Sequence, residues 1–127
     1  MNEGNDMHDF IINSYHINFK NRTIEICAQD RKGEKTSRFL AKNVLTHSFQ
    51  SILEYNIILD FEECDINNFI KDNLTALEKK KQECWPVDYE NIQELKNFLI
   101  SNRYKYIKVR CSYGLQGWIL AKEFQVI

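Results

Sequence analysis

Hydrophobic and polar residues alternate with a period of two at the start of the chain. In the stretch 11–19 the residues Ile11, Tyr15, Ile17 and Phe19 fall on one parity, with Asn13 as the exception. In 23–28 the apolar positions are Ile24, Ile26 and Ala28. This alternation is typical of strands that bury one face. The polar triplet 20–22 between the two stretches is typical of a turn. We therefore predict that the chain begins with a hairpin.

Two more strands are predicted in the next part of the chain. Segment 35–44 follows a polar turn at 30–34. Its residues Phe39, Leu40 and Val44 can face the core. Segment 56–61 is short and β-branched, and its predicted inner face consists of Ile57, Leu59 and Phe61. Between them, segment 45–55 has apolar residues at helical spacing, so the pattern leaves open whether it is a short helix or a strand.

The apolar period changes to 3.6 residues after Asp65, which is a favourable N-cap for a helix. The apolar stripe of this helix consists of Ile66, Phe69, Ile70, Leu74 and Leu77. Residues 85–86, a Trp-Pro pair, end the helical pattern, and Asp88 can cap a second helix that extends to Ser101. We predict two helices, with Leu74 and Phe98 in the core between helices and sheet.

The last part of the chain, 104–127, has two apolar runs on either side of Ser112–Gly117. Glycines between strand-like runs indicate a hairpin, because glycine readily adopts the positive φ of tight turns. The sequence thus predicts an α+β fold, a mainly antiparallel sheet of about six strands with two helices inserted before the C-terminal hairpin. We expect residues 1–7 to be flexible and 8–127 to form a single domain, with the final strand built into the sheet.

Composition narrows the class of protein. The chain has 127 residues, 17 basic and 18 acidic side chains and a net charge of −1, so no global field attracts nucleic acid or an anionic membrane. It shows neither a signal peptide nor an apolar run of about 20 residues, which favours a cytoplasmic location without membrane contact. The four cysteines form no Cys-x-x-Cys pair. We expect free thiols, and neither a metal nor a cofactor.

An acidic run, Asp60, Glu62, Glu63 and Asp65, follows the fourth predicted strand. Such oxygens can hold a divalent cation or face a basic partner. The alternative is a solvated loop in which Asp65 caps its helix. Asp60 with Glu94 and Lys96 is similar to the acidic residues and lysine of some nuclease centres, but Glu94 and Lys96 fall on a predicted helix and not on a strand, which argues against catalysis.

Three other groups of residues give weaker evidence for a functional site. The run 103–110 alternates basic and aromatic residues, as in sheets that stack RNA bases, although polar alternation on a strand explains it equally. His8 and Asp9 could form an acid/base pair, but neighbours on a strand point to opposite faces. A zinc site from the four cysteines and three histidines lacks the short ligand pairs that organise such sites.

The His8–Asp9 start, the alternating strand and hairpin, and the late run Ser112–Trp118 resemble small uncharacterised bacterial cytoplasmic proteins, some of which are regarded as immunity proteins against polymorphic toxins. The resemblance implies a binding protein that neutralises a toxin and has no catalytic residues. We therefore predict a non-enzymatic protein–protein binding module whose partner is a basic toxin. The alternative is a small metal-dependent hydrolase or nuclease that uses the acidic run. The predicted interface consists of Asp60, Glu62, Glu63, Asp65 and Tyr113.

Overall fold

The computed structural model describes residues 7–127 and has six strands and three α-helices in that part of the chain. The strands are β1 (Ile11–Asn18), β2 (Thr23–Gln29), β3 (Thr36–Gln50), β4 (Ile57–Cys64), β5 (Lys105–Tyr113) and β6 (Gln116–Val126). The helices are α1 (Ile66–Asp72), α2 (Leu74–Lys80), which continues into a short 3₁₀ turn, and α3 (Ile92–Ser101). The predicted α+β fold with a six-stranded antiparallel sheet is confirmed, whereas the number of helices is three instead of two.

The sheet closes on itself as a barrel with the strand order β1-β2-β3-β6-β5-β4, and every neighbouring pair is antiparallel. The closing seam between β1 and β4 is short. It consists of the pair Ile11 and Ile57, flanked by backbone bonds from Ile12 N to Asn56 O (2.9 Å) and from Ile58 N to Phe10 O (2.8 Å). Closure removes the exposed strand edges that an open sheet would present.

The interior of the barrel is the first of two hydrophobic cores. Phe39 and Phe61 stack there with their ring centroids 4.3 Å apart. Met7 is fully buried in the same core. Of the predicted flexible segment 1–7, it is the one residue that the structure describes. The buried residues of this core include Ile12, Ile24, Ile26, Ala28, Ile58, Ile107, Val109, Cys111, Leu115 and Ile119.

Bulges change which residues face the interior. In β1, Ile12 is paired with Ala28 but Ser14 with Cys27, so Asn13 is an extra residue. Ile12 is therefore buried in place of the predicted Ile11. A similar shift early in β4 buries Ile58 and Phe61, so the prediction that Leu59 shares the inner face with Phe61 is wrong. One inserted residue reverses the parity of a strand, and an alternating pattern alone does not reveal it.

The secondary structure of segment 45–55, which the sequence pattern left undecided, follows from the length of β3. This strand has 15 residues and continues to Gln50, and residues 51–56 then form a loop. A register shift between Val44 and Thr46 lies just beyond Lys42, the last residue of β3 that pairs with β2, and from there to Gln50 the strand pairs with β6. The strand interpretation therefore holds for the first part of this segment.

The helices cover one side of the barrel and bury the second core against β5 and β6. Asp65 caps α1 as predicted, since its Oδ1 accepts a hydrogen bond from Asn67 N at 3.0 Å. Asn91, rather than Asp88, caps α3. No helix among residues 7–127 is long and apolar enough to cross a membrane. The buried residues here are Ile66, Phe69, Leu77, Tyr89, Leu95, Leu99, Tyr106 and Leu120.

The predicted core positions of Leu74 and Phe98 are wrong. Their exposed fractions are 42% and 37%. The predicted first helix ends at Asn73 and restarts as α2, which turns Leu74 out of the apolar stripe. On α3, Leu95 and Leu99 face the sheet, and Phe98 lies at the edge of that face.

Candidate functional site

Asn56 is a buried polar residue that ties the loop between β3 and β4 to the turn between β5 and β6. Its Oδ1 accepts hydrogen bonds from Leu53 N (3.1 Å) and from Leu115 N (2.8 Å). Its Nδ2 donates to Leu53 O at 2.7 Å. Because both ends of the side-chain amide are used, the loop has one preferred arrangement.

The turn opposite this loop depends on a glycine. Gly114 has φ of +89°, which other residues rarely adopt. A Cβ at this position would collide with the side-chain Oδ1 of Asn56 and would lie 2.9 Å from the backbone O of Tyr55, so the turn can approach the loop this closely because residue 114 has no side chain. The sequence analysis assigned this glycine to a turn, but its close approach to Asn56 appears only in the structure.

Around this anchor, the protein exposes four large apolar or aromatic side chains. The exposed fractions are 44% for Ile52, 47% for Leu53, 54% for Tyr55 and 54% for Tyr113. We call these four residues the loop surface. Of them, Tyr113 alone was predicted as a site residue. The other three residues lie in segment 45–55, whose secondary structure the sequence pattern left open. Their apolar character was the one feature of the sequence that could have indicated a binding surface there.

The acidic run does not form one patch. Asp60 and Glu62 lie on the outer face of β4, paired in register with Arg110 and Lys108. Asp60 Oδ1 is shielded from solvent and lies 3.0 Å from Arg110 Nε. Glu62 Oε1 lies 3.7 Å from Arg110 Nη1. The charges of these two predicted site residues are thus partly neutralised by Arg110. The sequence analysis had assigned this arginine to a separate candidate surface for RNA binding.

The other acidic residues have different roles. Glu63 falls on the opposite parity from Glu62 and is exposed near the end of β4, and Asp65 is occupied as the cap of α1. Tyr113 pairs with Ile57 at the other end of β4. Glu63 lies six positions along the strand from Ile57, which corresponds to roughly 20 Å. The structure therefore does not gather the predicted interface at one point but spreads it along β4.

Asp72 binds two residues of β5. Its Oδ2 accepts a hydrogen bond from Tyr106 Oη at 2.9 Å and lies 3.1 Å from Lys108 Nζ. Burial disfavours the carboxylate, but the hydrogen bonds from Lys108 and Tyr106 outweigh it, and the pKa of Asp72 is lowered. Burial, and then the bond to Asp72, raise the pKa of Tyr106. Tyr106 and Lys108, residues of the predicted RNA-binding strand, are thus used to attach α1 to the barrel.

His8 and Asp9 are brought together by a turn rather than by a strand. Asp9 has φ of 66°, and His8 Nε2 lies 3.6 Å from Asp9 Oδ2. The other ring nitrogen of His8, Nδ1, is 2.9 Å from Leu59 O. Both side chains are more than half exposed. The contact between His8 and Leu59 holds the segment before β1 against β4, so we assign this histidine a structural role.

Comparisons with protein-family models, with curated proteins and with solved structures found no match for this chain.

Proposed function

We propose that this protein is a non-enzymatic module that binds a basic protein partner, and that the partner is a toxin which it neutralises. The observation that carries the proposal is the loop surface, four exposed apolar or aromatic side chains held in place by the buried Asn56. An exposed apolar group on a preorganised loop loses little conformational entropy on association, because the loop is already ordered. Tyrosines in such positions are common anchors of protein interfaces.

The charges around the loop surface support a basic partner. Glu54 lies in the middle of the loop, is exposed and has no salt bridge with another described residue. Glu63, near the far end of β4, has the same two properties. A protein interface of standard size buries about 800 Å² on each partner, which is about 30 Å across. One partner that lies along β4 can therefore contact both the loop surface and the acidic residues.

The product of the gene next to this one is the probe, measured by calorimetric titration against the purified protein. We expect the double variant Tyr55→Ala with Tyr113→Ala to bind about 30-fold or more weakly, which is the loss of a typical hot spot. Phe19→Ala is the matched control, because Phe19 is an exposed aromatic residue in the turn after β1, away from the loop surface. Absence of binding by the unaltered protein, or equal losses in the two variants, would refute the proposal.

Charge reversal tests the acidic part of the interface. Glu62→Lys with Glu63→Lys should lower the association rate and reduce its dependence on salt, since rim charges act mainly on the rate of encounter. Glu34→Lys with Glu90→Lys changes the net charge equally at two exposed positions outside β4. If both double variants slow association equally, the effect comes from net charge, and the acidic run is not part of the interface.

A further inference from the structure

The outer face of β1 and β2 brings together three side chains of types that can bind a metal, His16, Glu25 and Cys27. The sequence analysis considered the histidine and the cysteine as zinc ligands, but not Glu25. In β2 the residues Ile24, Ile26 and Ala28 fill the barrel, so Glu25 and Cys27 point outward. His16 of β1 is the direct cross-strand partner of Glu25, and Cys27 lies one outward position further along β2. The helices pack against β5 and β6, on another part of the barrel. This face is consequently open to solvent.

The three side chains are close enough to share one ion. A ring nitrogen of His16, a carboxylate oxygen of Glu25 and Sγ of Cys27 all lie within 4.8 Å of one another. Within residues 7–127 they are the one set of three or more histidine, cysteine and acidic side chains that satisfies this distance. Ligands of a tetrahedral zinc ion are about 3.4–3.7 Å apart, given metal–ligand bonds of 2.0–2.3 Å. Small side-chain rotations would close the difference, because none of the three is fully buried.

The donor set selects the class of ion. A thiolate, an imidazole and a carboxylate together favour a borderline divalent cation such as Zn²⁺, whereas Mg²⁺ and Ca²⁺ prefer oxygen ligands alone. We propose that His16, Glu25 and Cys27 bind one Zn²⁺ ion, with a water molecule as the fourth ligand. Three protein ligands and an open fourth position are the arrangement of zinc sites that can take up a further ligand.

Arg38 of β3 orients the carboxylate of this site. Its Nη1 donates a hydrogen bond to Glu25 Oε2 at 2.8 Å. The other oxygen, Oε1, is left 3.6 Å from Cys27 Sγ. A metal-binding carboxylate is commonly fixed in this way by a hydrogen bond to its second oxygen. Arg38 is also the cross-strand partner of Cys27, so the strand register itself places it beside the site.

The test uses Co²⁺ as a spectroscopic substitute for Zn²⁺, with protein that carries no histidine tag. A thiolate ligand gives bound Co²⁺ a charge-transfer absorption in the near ultraviolet. We expect this absorption to saturate at one ion per chain and to disappear when Zn²⁺ is added in competition. No absorption, or saturation at one ion per two chains, would overturn the proposal, since half an ion per chain assigns the metal to a contact between copies.

Variants then assign the ligands. Cys27→Ser should abolish the absorption, whereas Cys84→Ser should keep it, because Cys84 is an exposed thiol in a loop outside this face. His16→Gln should weaken Co²⁺ binding at least about tenfold, and the exposed His8 supplies the control variant His8→Gln. An absorption that survives Cys27→Ser, or equal affinities of the two histidine variants, would contradict the assignment. Circular dichroism of each apo variant establishes that a loss is not due to unfolding.

Discussion

Replacing the buried Asn56 by alanine should lower the free energy of unfolding more than the same substitution at an exposed asparagine. Leu115 N is buried and would lose its hydrogen-bond acceptor, which costs about 1–3 kcal/mol for an unsatisfied group. Leu53 loses two hydrogen bonds, but this residue is about half exposed and water can replace part of them, so we add about 1 kcal/mol. The sum is about 2–4 kcal/mol of unfolding free energy.

Urea denaturation measures this loss directly. With an m-value of about 2 kcal/mol/M, the midpoint should fall by about 1–2 M. Asn68→Ala is the control, since Asn68 is exposed on α1 and its replacement should change stability by no more than about 0.5 kcal/mol. Hydrogen exchange of the Leu115 amide gives a second measure, because this donor becomes free in Asn56→Ala. If the midpoints of the two variants coincide, Asn56 does not anchor the loop, and the basis of the proposed binding surface is lost.

Three further outcomes follow from the packing and the thiols. Leu95→Ala should reduce stability by about 2–5 kcal/mol in a denaturation curve, whereas Leu74→Ala should have a small effect, because Leu95 is fully buried and Leu74 is not. Gly114→Ala should cost more than about 1 kcal/mol by the same assay, since the new Cβ would meet Asn56 at a positive φ; an unchanged midpoint would contradict this. Burial raises the pKa of Cys111 to about 11 from 9.0, so the native protein should hold this thiol neutral, and its contribution to stability should be complete below pH 9 and decline as the pH rises to about 11. Stability curves of Cys111→Ala should lack that decline, and a thiol reagent should label the exposed Cys84 before Cys111.

Local features of this fold could be predicted from the sequence because their causes are local. Asp65 is an N-cap by residue type and position, and the alternation of Ile24, Ile26 and Ala28 with polar residues identifies β2 and its inner face. The C-terminal hairpin follows from the run around Gly114. Each of these features depends on residues that are close to one another in the sequence.

The closed form of the sheet and the break between α1 and α2 were not predictable in this way. Barrel closure depends on the short seam of β1 with β4, in which residues about 45 positions apart are paired. The helix break depends on Asn73, whose Nδ2 donates to Phe69 O at 3.0 Å and ends the first helix. A polar side chain that bonds the backbone competes with the helix, yet asparagine also occurs inside helices, so the residue type alone does not decide.

The cluster of His16, Glu25 and Cys27 was not predictable for a related reason. A pattern within one strand is sensitive to residues two apart, but cross-strand neighbours depend on the register of two strands. His16 faces Glu25 outside the barrel because the bulge at Asn13 lies between Ile12 and Tyr15. If the strand were regular from Ile12 to His16, with Asn13 paired instead of bulged, the parity that buries Ile12 would direct His16 into the core. Because Asn13 is bulged and not paired, Tyr15 and Ile17 pack against the core and His16 lies on the outer face, where a metal ion can reach it.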